Sequence, residues 1–295
     1  MLRSIAVLLI ITFAIAAQAQ QREDPPWVKD LAGKRVVYQV PGMNLVRVKR
    51  NLIYKRVGGR ELQMDVYSPR VARGRLPAVL FIHGGRIPAN ILTTPKDWDV
   101  YISFGQLVAA SGFVGVNFNH RFYTWEGLPD SQSDVMDAIN YVRENAGRLG
   151  VDPERIILWS VSAGGIFLSQ PLRDRPAYLS SIVAYYSELD LQNERASAPA
   201  SVSDETLRDF SPVYHLERTA QNQPPMFIAR AGLDDTTLNE GLDHFVQVAL
   251  KKNVTLELFN HPTGHHGFDI EDNNARSREI LKRTIEFLRS SISKH

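Results

Sequence analysis

The run Arg155-Ile156-Ile157-Leu158-Trp159-Ser160-Val161-Ser162-Ala163-Gly164-Gly165 constrains the fold of this chain more than any other stretch. Ile156 to Trp159 are four consecutive apolar residues, the pattern of a short strand covered on both faces. The pattern then breaks at once into small residues. Small side chains are needed where a helix leaves a strand so sharply that backbones nearly touch. This is the form of a strand-to-helix elbow that lifts the hydroxyl of Ser162 clear of a sheet. Ser160 is the rival serine, but it stands at the strand end. A glycine usually fills that position in the G-x-S-x-G form, and serine is small enough to be tolerated there at some cost in turn geometry. The plainer alternative is that Ser162 is only a turn residue.

The rest of the chain supplies a scaffold for such an elbow. Val46 to Tyr67 alternates around Gly58-Gly59, with Leu62, Met64 and Val66 on one face, which predicts a hairpin with a two-residue turn. Ala78 to Ile82 is a continuous apolar run. From there the pattern alternates. A helix is expected over Tyr101 to Ala110, a strand over Phe113 to Phe118, and a helix from near Asp134 to Leu149, with Asp152-Pro153 turning into the elbow strand. Ser181 to Tyr186 and Met226 to Arg230 read as strands, Leu238 to Lys251 as a helix, Val254 to Phe259 as a strand and Arg276 to Ser290 as a closing helix. Strand and helix in alternation after an antiparallel start predict an α/β fold, with a mostly parallel central sheet and helices on both faces. There is no internal repeat. Glu188 to Asp209 is the one polar stretch suited to a small cap or lid, with a plain loop as the alternative.

Residues 1–19 read as a cleaved signal peptide: Arg3, an apolar stretch from Ile5 to Ala17, and an A-x-A site at Ala17-Gln18-Ala19. The apolar stretch is shorter than the roughly 20 residues that span a bilayer, which disfavours a membrane anchor. The expectation is a secreted or periplasmic protein in which residues 20–295 form one domain and no span remains after cleavage. The 295 residues include no cysteine, which excludes disulfides, thiol catalysis and thiolate metal sites. A formal net charge of +2 with scattered Lys and Arg gives no footprint for nucleic acid.

Serine acyl transfer needs an activated hydroxyl, a base oriented by an acid, and donors for an oxyanion. Each has a candidate at a predicted strand end. Ser162 is the nucleophile candidate. His83-Gly84-Gly85 follows the strand ending at Ile82, so Gly84, Gly85 and the N–H of Ala163 are candidate oxyanion donors, with His83 holding the loop. His266, between Gly264 and Gly267, is the candidate base, with the adjacent His265 as rival. A zinc site from His261, His265 and His266 is the other reading of these histidines, and no helical His-Glu-x-x-His spacing supports it. The acid is Asp234 or Asp235, just past the strand Met226 to Arg230. Chemistry alone does not separate them, since one can cap the next helix. Arg86 could meet a substrate carboxylate or stay an exposed loop charge. Tyr123, Trp125 and Tyr185 could line a pocket, though core packing suits each at least as well. No metal or organic cofactor is required.

The order serine, aspartate, histidine is that of the α/β-hydrolases. Taken together, His83-Gly84-Gly85, Asn119-His120-Arg121, Asp152 to Ile156, Ser162 to Gly165, Ala231-Gly232-Leu233-Asp234 and His266-Gly267-Phe268 resemble the carboxylesterase and hormone-sensitive-lipase-like branch of that superfamily, including its dienelactone-hydrolase-like esterases. The resemblance runs from about Leu76 to Phe287. It implies an α/β-hydrolase fold and a serine esterase. It favours Asp234 as the acid, at the last position of an A-G-x-D run, and a structural role for Arg121. Ser160 and Arg86 depart from the branch's pattern beside the site. The expected substrate is a short-chain or small aromatic carboxylic ester, free or linked to a polysaccharide. The alternatives are a serine peptidase or amidase on the same fold and a hydrolase-fold binding protein without catalysis.

Overall fold

A computed structural model describes residues 23–219 and 222–292. The signal-peptide expectation over residues 1–19 lies outside the described residues. Eight strands form one sheet: β1 (Arg47–Val57), β2 (Arg60–Ser68), β3 (Leu76–Ile82), β4 (Val114–Phe118), β5 (Val151–Val161), β6 (Leu179–Tyr185), β7 (Met226–Ala231) and β8 (Leu256–His261). Their order across the sheet is β1-β2-β4-β3-β5-β6-β7-β8. β1 pairs antiparallel with β2, and β2 with β4, while every pairing from β4 to β8 is parallel. The hairpin turns on Gly58 and Gly59 at φ +56° and +74°, the double left-handed geometry that a two-residue turn demands. The expected α/β architecture, antiparallel start included, is the observed one.

The helices are α1 (Pro26–Ala32), α2 (Asp99–Ala110), α3 (Leu128–Glu144), α4 (Ala146–Leu149), α5 (Ser169–Asp174), α6 (Asp204–Asp209), α7 (Pro212–Arg218), α8 (Thr236–Lys251), α9 (Phe268–Glu271) and α10 (Ala275–Ile292). The strand period of two sorts the central residues into two cores. Leu80, Ile82, Leu158, Ile182 and Ile228 face the layer with α3, α5, α7 and α8. Phe81, Trp159, Val183, Tyr185 and Phe227 face the layer with α2 and α10. Both sets are buried, so the centres of β3, β5, β6 and β7 (78–82, 156–159, 182–185 and 226–229) read as apolar runs in sequence.

Three departures from expectation exceed two residues or interrupt an element. The helix expected from Asp134 begins at Leu128, because Pro129 lies in the first turn, where its missing N–H is not needed. That helix is also interrupted at Asn145, whose side chain donates back to the Tyr141 carbonyl at 2.8 Å. Asp152-Pro153 does not precede the elbow strand but lies within it. Leu76 pairs with Val151 and Ala78 with Ile156, so the intervening residues of β5 bulge outward, with the Asp152 carboxylate accepting from the Glu154 N–H at 3.1 Å. The polar stretch 188–209 contains a 3₁₀ turn, Leu191–Ala196, and α6.

Candidate active site

β5 ends at Val161, and a 3₁₀ turn, Ser162–Leu168, starts directly after it. Ser162 sits at φ +54°, a left-handed conformation that a residue with a Cβ adopts only under constraint. The constraint is close packing on every side. A Cβ on Gly164 would lie 2.4 Å from the Ile82 carbonyl oxygen, and one on Gly84 2.6 Å from Ser162 Cβ. The Ser162 carbonyl accepts from the Glu188 N–H at 2.9 Å. Ser160, by contrast, is fully buried within β5, and its hydroxyl meets that of Ser187 at 3.0 Å. Ser160 therefore packs as a core residue, with no left-handed backbone of its own.

The loop after β8 carries His266. Its Nε2 lies 2.9 Å from Ser162 Oγ, and its Nδ1 lies 2.8 and 3.0 Å from the two oxygens of Asp234. With Nδ1–H donating to the carboxylate, Nε2 is left as the acceptor for the serine proton. The Asp234 side chain is almost wholly buried while the imidazole is nearly half exposed, so the ring is fixed from behind and open in front. Asp235 goes elsewhere. Its carboxylate caps α8, accepting from the Thr237 N–H at 2.8 Å and the Leu238 N–H at 3.4 Å. The three histidines considered for a metal diverge. His261 Nε2 meets Ser277 Oγ at 3.1 Å, His265 Nδ1 meets Asp272 at 3.0 Å, and His266 faces Asp234.

Gly84 and Gly85 follow β3 and border Ser162, and Gly85 is left-handed at φ +72°. No acceptor within the described residues takes the Gly85 N–H. Ala163 lies in the first turn of the 3₁₀ segment, where an N–H has no intrahelical acceptor. His83 holds this loop. Its ring stacks on His120 with centroids 3.7 Å apart, and its Nε2 accepts from the His120 N–H at 3.4 Å. Nδ1 therefore carries the hydrogen and donates to the Gly84 carbonyl at 3.1 Å. Burial pushes the His83 ring down to about 4 and the His120 ring well below its usual range, so both stay neutral at physiological pH. Arg121 grips the buried Asp134 in a forked pair at 2.8 and 2.9 Å, which ties the loop after β4 to α3.

The BD-FAE family model matches residues 64–170, from β2 through the elbow. Carboxylesterase NlhH of Mycobacterium tuberculosis (strain ATCC 25618 / H37Rv) is 26% identical over 237 residues, covering 72% of this chain and 72% of its own length. A probable isoprenylcysteine alpha-carbonyl methylesterase, ICME, of Oryza sativa subsp. japonica is 29% identical over 162 residues, 51% of this chain and 37% of its own. The native structure of the esterase Est2 from Thermogutta terrifontis superposes with a TM-score of 0.67 at 22% identity, covering 84% of this chain and 93% of the other. The chain thus has the α/β-hydrolase fold and is similar in sequence to carboxylesterases.

In this fold, two depressions meet at Gly85. The first opens beside Ser162 and His266, with apolar walls from Ile87, Trp98, Phe104, Val161 and from Trp27 and Leu31 of α1. Asp24 holds this N-terminal segment in place by accepting from the Leu92 and Thr93 N–H groups at 2.5 and 2.9 Å. The second lies beside Ala163 and carries Arg86, Trp125, Glu188 and Glu194. The Arg86 guanidinium stands 4.9 Å from the Trp125 ring centroid. Glu188 is 7% exposed, and burial, with the neighbouring charge of Glu194, pushes its carboxyl up to about 8.

Several of these residues were not singled out in the sequence. Tyr186, rather than Tyr185, borders the first depression, while Tyr185 is core. Tyr123 borders neither depression and lies beneath Arg60, whereas Trp125 does line the second. Trp27 and Leu31 are far from the motifs in sequence, and no local pattern links them to Ser162. Glu188 sits in the polar stretch considered for a cap, and its burial is visible only in three dimensions.

Proposed function

We propose that this chain is a serine esterase in which Ser162, His266 and Asp234 form the catalytic triad. The Ser162–His266–Asp234 hydrogen-bond chain carries the reading, since it puts a hydroxyl, an oriented base and a buried carboxylate in series at the mouth of a depression. Ser162 Oγ attacks the ester carbonyl while His266 Nε2 takes its proton. Asp234 holds the Nδ1–H tautomer and stabilises the imidazolium. The N–H groups of Gly84, Gly85 and Ala163 receive the oxyanion. His266 then protonates the leaving alcohol, and a water, deprotonated by the same ring, releases the acid from Ser162.

The apolar depression suits the acyl group, short-chain or small aromatic in size, and the charged one suits the alcohol. A polar alcohol such as a polysaccharide hydroxyl fits Trp125, Glu188 and Glu194, and it accords with a secreted or periplasmic location for a protein made with residues 1–19 as a signal peptide. Glu188, Leu191 and Glu194 border the alcohol side, so the 188–209 segment serves as a small cap there.

The test is hydrolysis of a chain-length series of p-nitrophenyl esters by the wild type and by Ser162→Ala, His266→Ala and Asp234→Asn. Each substitution is expected to lower kcat by about three to six powers of ten. Asp235→Ala is expected to leave kcat within a few-fold and to cost about 1 kcal/mol of stability through the lost cap. A wild type inert to the whole series, or a Ser162→Ala variant as active as wild type, overturns the esterase reading. Amide cleavage as fast as ester cleavage replaces it with a peptidase.

A further inference from the structure

Asp234 is not the only carboxylate buried near His266. Asp269 is fully buried in α9, three residues after the base. One of its oxygens accepts from the Tyr186 hydroxyl at 2.5 Å, and its Oδ2 has no hydrogen-bond partner among the described residues. The Tyr186 ring lies against the imidazole of His266, with centroids 4.7 Å apart and planes tilted by 59°. Tyr186 is held in this place at some conformational expense, at φ +36°, by a 2.7 Å hydrogen bond from its N–H to the Ala229 carbonyl. A carboxylate, a phenol and an imidazole thus stand in series on the flank of His266 that Asp234 does not touch.

We propose that Asp269 and Tyr186 are a positioning pair that steadies the positive charge His266 acquires during turnover. The inference rests on His266 being the general base. An aromatic face attracts a cation set against it, and a phenol donating to a carboxylate has a more electron-rich ring than a free one. The pair therefore favours the imidazolium over the neutral ring, and it does so without touching substrate through Asp269.

The groups that face Asp269 are the hydroxyls of Tyr186, Tyr185 and Tyr101, the ring of His266, and Glu271, which is itself paired with Lys34 at 2.6 Å. Burial pushes the Asp269 carboxyl up to about 6, against the opposing pull of the Tyr186 hydrogen bond and the His266 charge. The Tyr186 donor and the His266 ring both favour its ionised form. An anion there attracts the positive charge of a protonated His266, and a neutral isostere removes that attraction. Tyr186→Phe acts in the same direction, since loss of its donor makes Asp269 harder to ionise.

The experiment follows the His266 ring through a pH titration by NMR in the full chain, with His266→Ala identifying its resonance. It compares the wild type, Asp269→Asn, Tyr186→Phe and the double variant. The expected result is a drop of about half to one pH unit in the His266 midpoint for each single variant, with the double variant no lower than the larger single one. The acid limb of the kcat/KM profile moves with it. Merely structural roles would lower activity or stability and leave the midpoint in place. A midpoint within about 0.2 units of wild type in Tyr186→Phe, the milder substitution, overturns the proposal. So do single effects that simply add. A failure of the esterase reading looks different: the wild type hydrolyses nothing, while the His266 midpoint still reports on Asp269.

Discussion

The two sides of Gly85 differ in what is set among their apolar side chains. On the Ser162 side the surface is Ile87, Trp98, Phe104 and Val161, with Trp27 and Leu31 from the first helix. On the Ala163 side Arg86, Glu188 and Glu194 stand among Phe122, Trp125, Ile166 and Leu191. The apolar side can lower the free energy of a bound acyl chain only by removing its surface from water, about 25 cal/mol per Å2. The side with Arg86, Glu188 and Glu194 adds charged groups that favour a partner able to satisfy their hydrogen bonds. On the proposed reading, one glycine separates selection by acyl length from selection by alcohol polarity.

The largest expected effect comes from disturbing the divide itself. Gly84→Ala would set a methyl 2.6 Å from Ser162 Cβ and 2.8 Å from the Val161 carbonyl oxygen, so backbone must move at the elbow. A fall in kcat/KM of about 10²- to 10³-fold for every ester is expected, with folding retained by circular dichroism. A loss confined to long acyl chains would show that Gly84 serves only one side.

Next in size is the apolar wall. Leu31→Ala is expected to raise the ratio of kcat/KM for longer over shorter acyl esters by about tenfold, the scale of one or two methylenes in a hydrophobic pocket. A preference that shifts with the alcohol instead would exchange the two assignments. On the charged side, Arg86→Ala and Glu188→Gln are expected to change KM about threefold to tenfold for esters of polyols and hardly at all for p-nitrophenyl esters, read from initial rates.

The smallest effect concerns stability. Glu188 has its folded-state carboxyl raised from an ordinary 4.5 to about 8, so the folded chain binds more protons than the unfolded chain between those limits. Stability therefore falls as pH rises from about 5 to 8, and Glu188→Gln should flatten the Tm profile across that window by a few degrees. An unchanged slope would place the charge of Glu188 in water.

The elbow and the base were legible because their signals are local. A buried strand breaking into Ser162-Ala163-Gly164-Gly165 says where a backbone must turn, and Gly264 to Gly267 mark an open loop for His266. The acid was half legible: Asp235 precedes Thr236-Thr237 and the helix they start, which makes it a cap, but only the fold shows Asp234 turned toward His266. Tyr185 and Tyr186 were exchangeable in sequence because strand alternation breaks at the end of β6, where Tyr186 adopts a left-handed backbone. Trp27, Leu31 and Asp269 were invisible for another reason. Their roles depend on approach between segments more than a hundred residues apart from the elbow they surround, or on burial that a polar letter does not reveal.

The most direct measurement is a mass spectrum of the intact chain after incubation with a fluorophosphonate, followed by peptide mapping. The account requires one adduct per chain, on Ser162, that forms at the wild-type rate in Asp235→Ala and at least about a thousandfold more slowly in His266→Ala. An adduct on Ser160 or elsewhere, or none while the chain is folded, contradicts it.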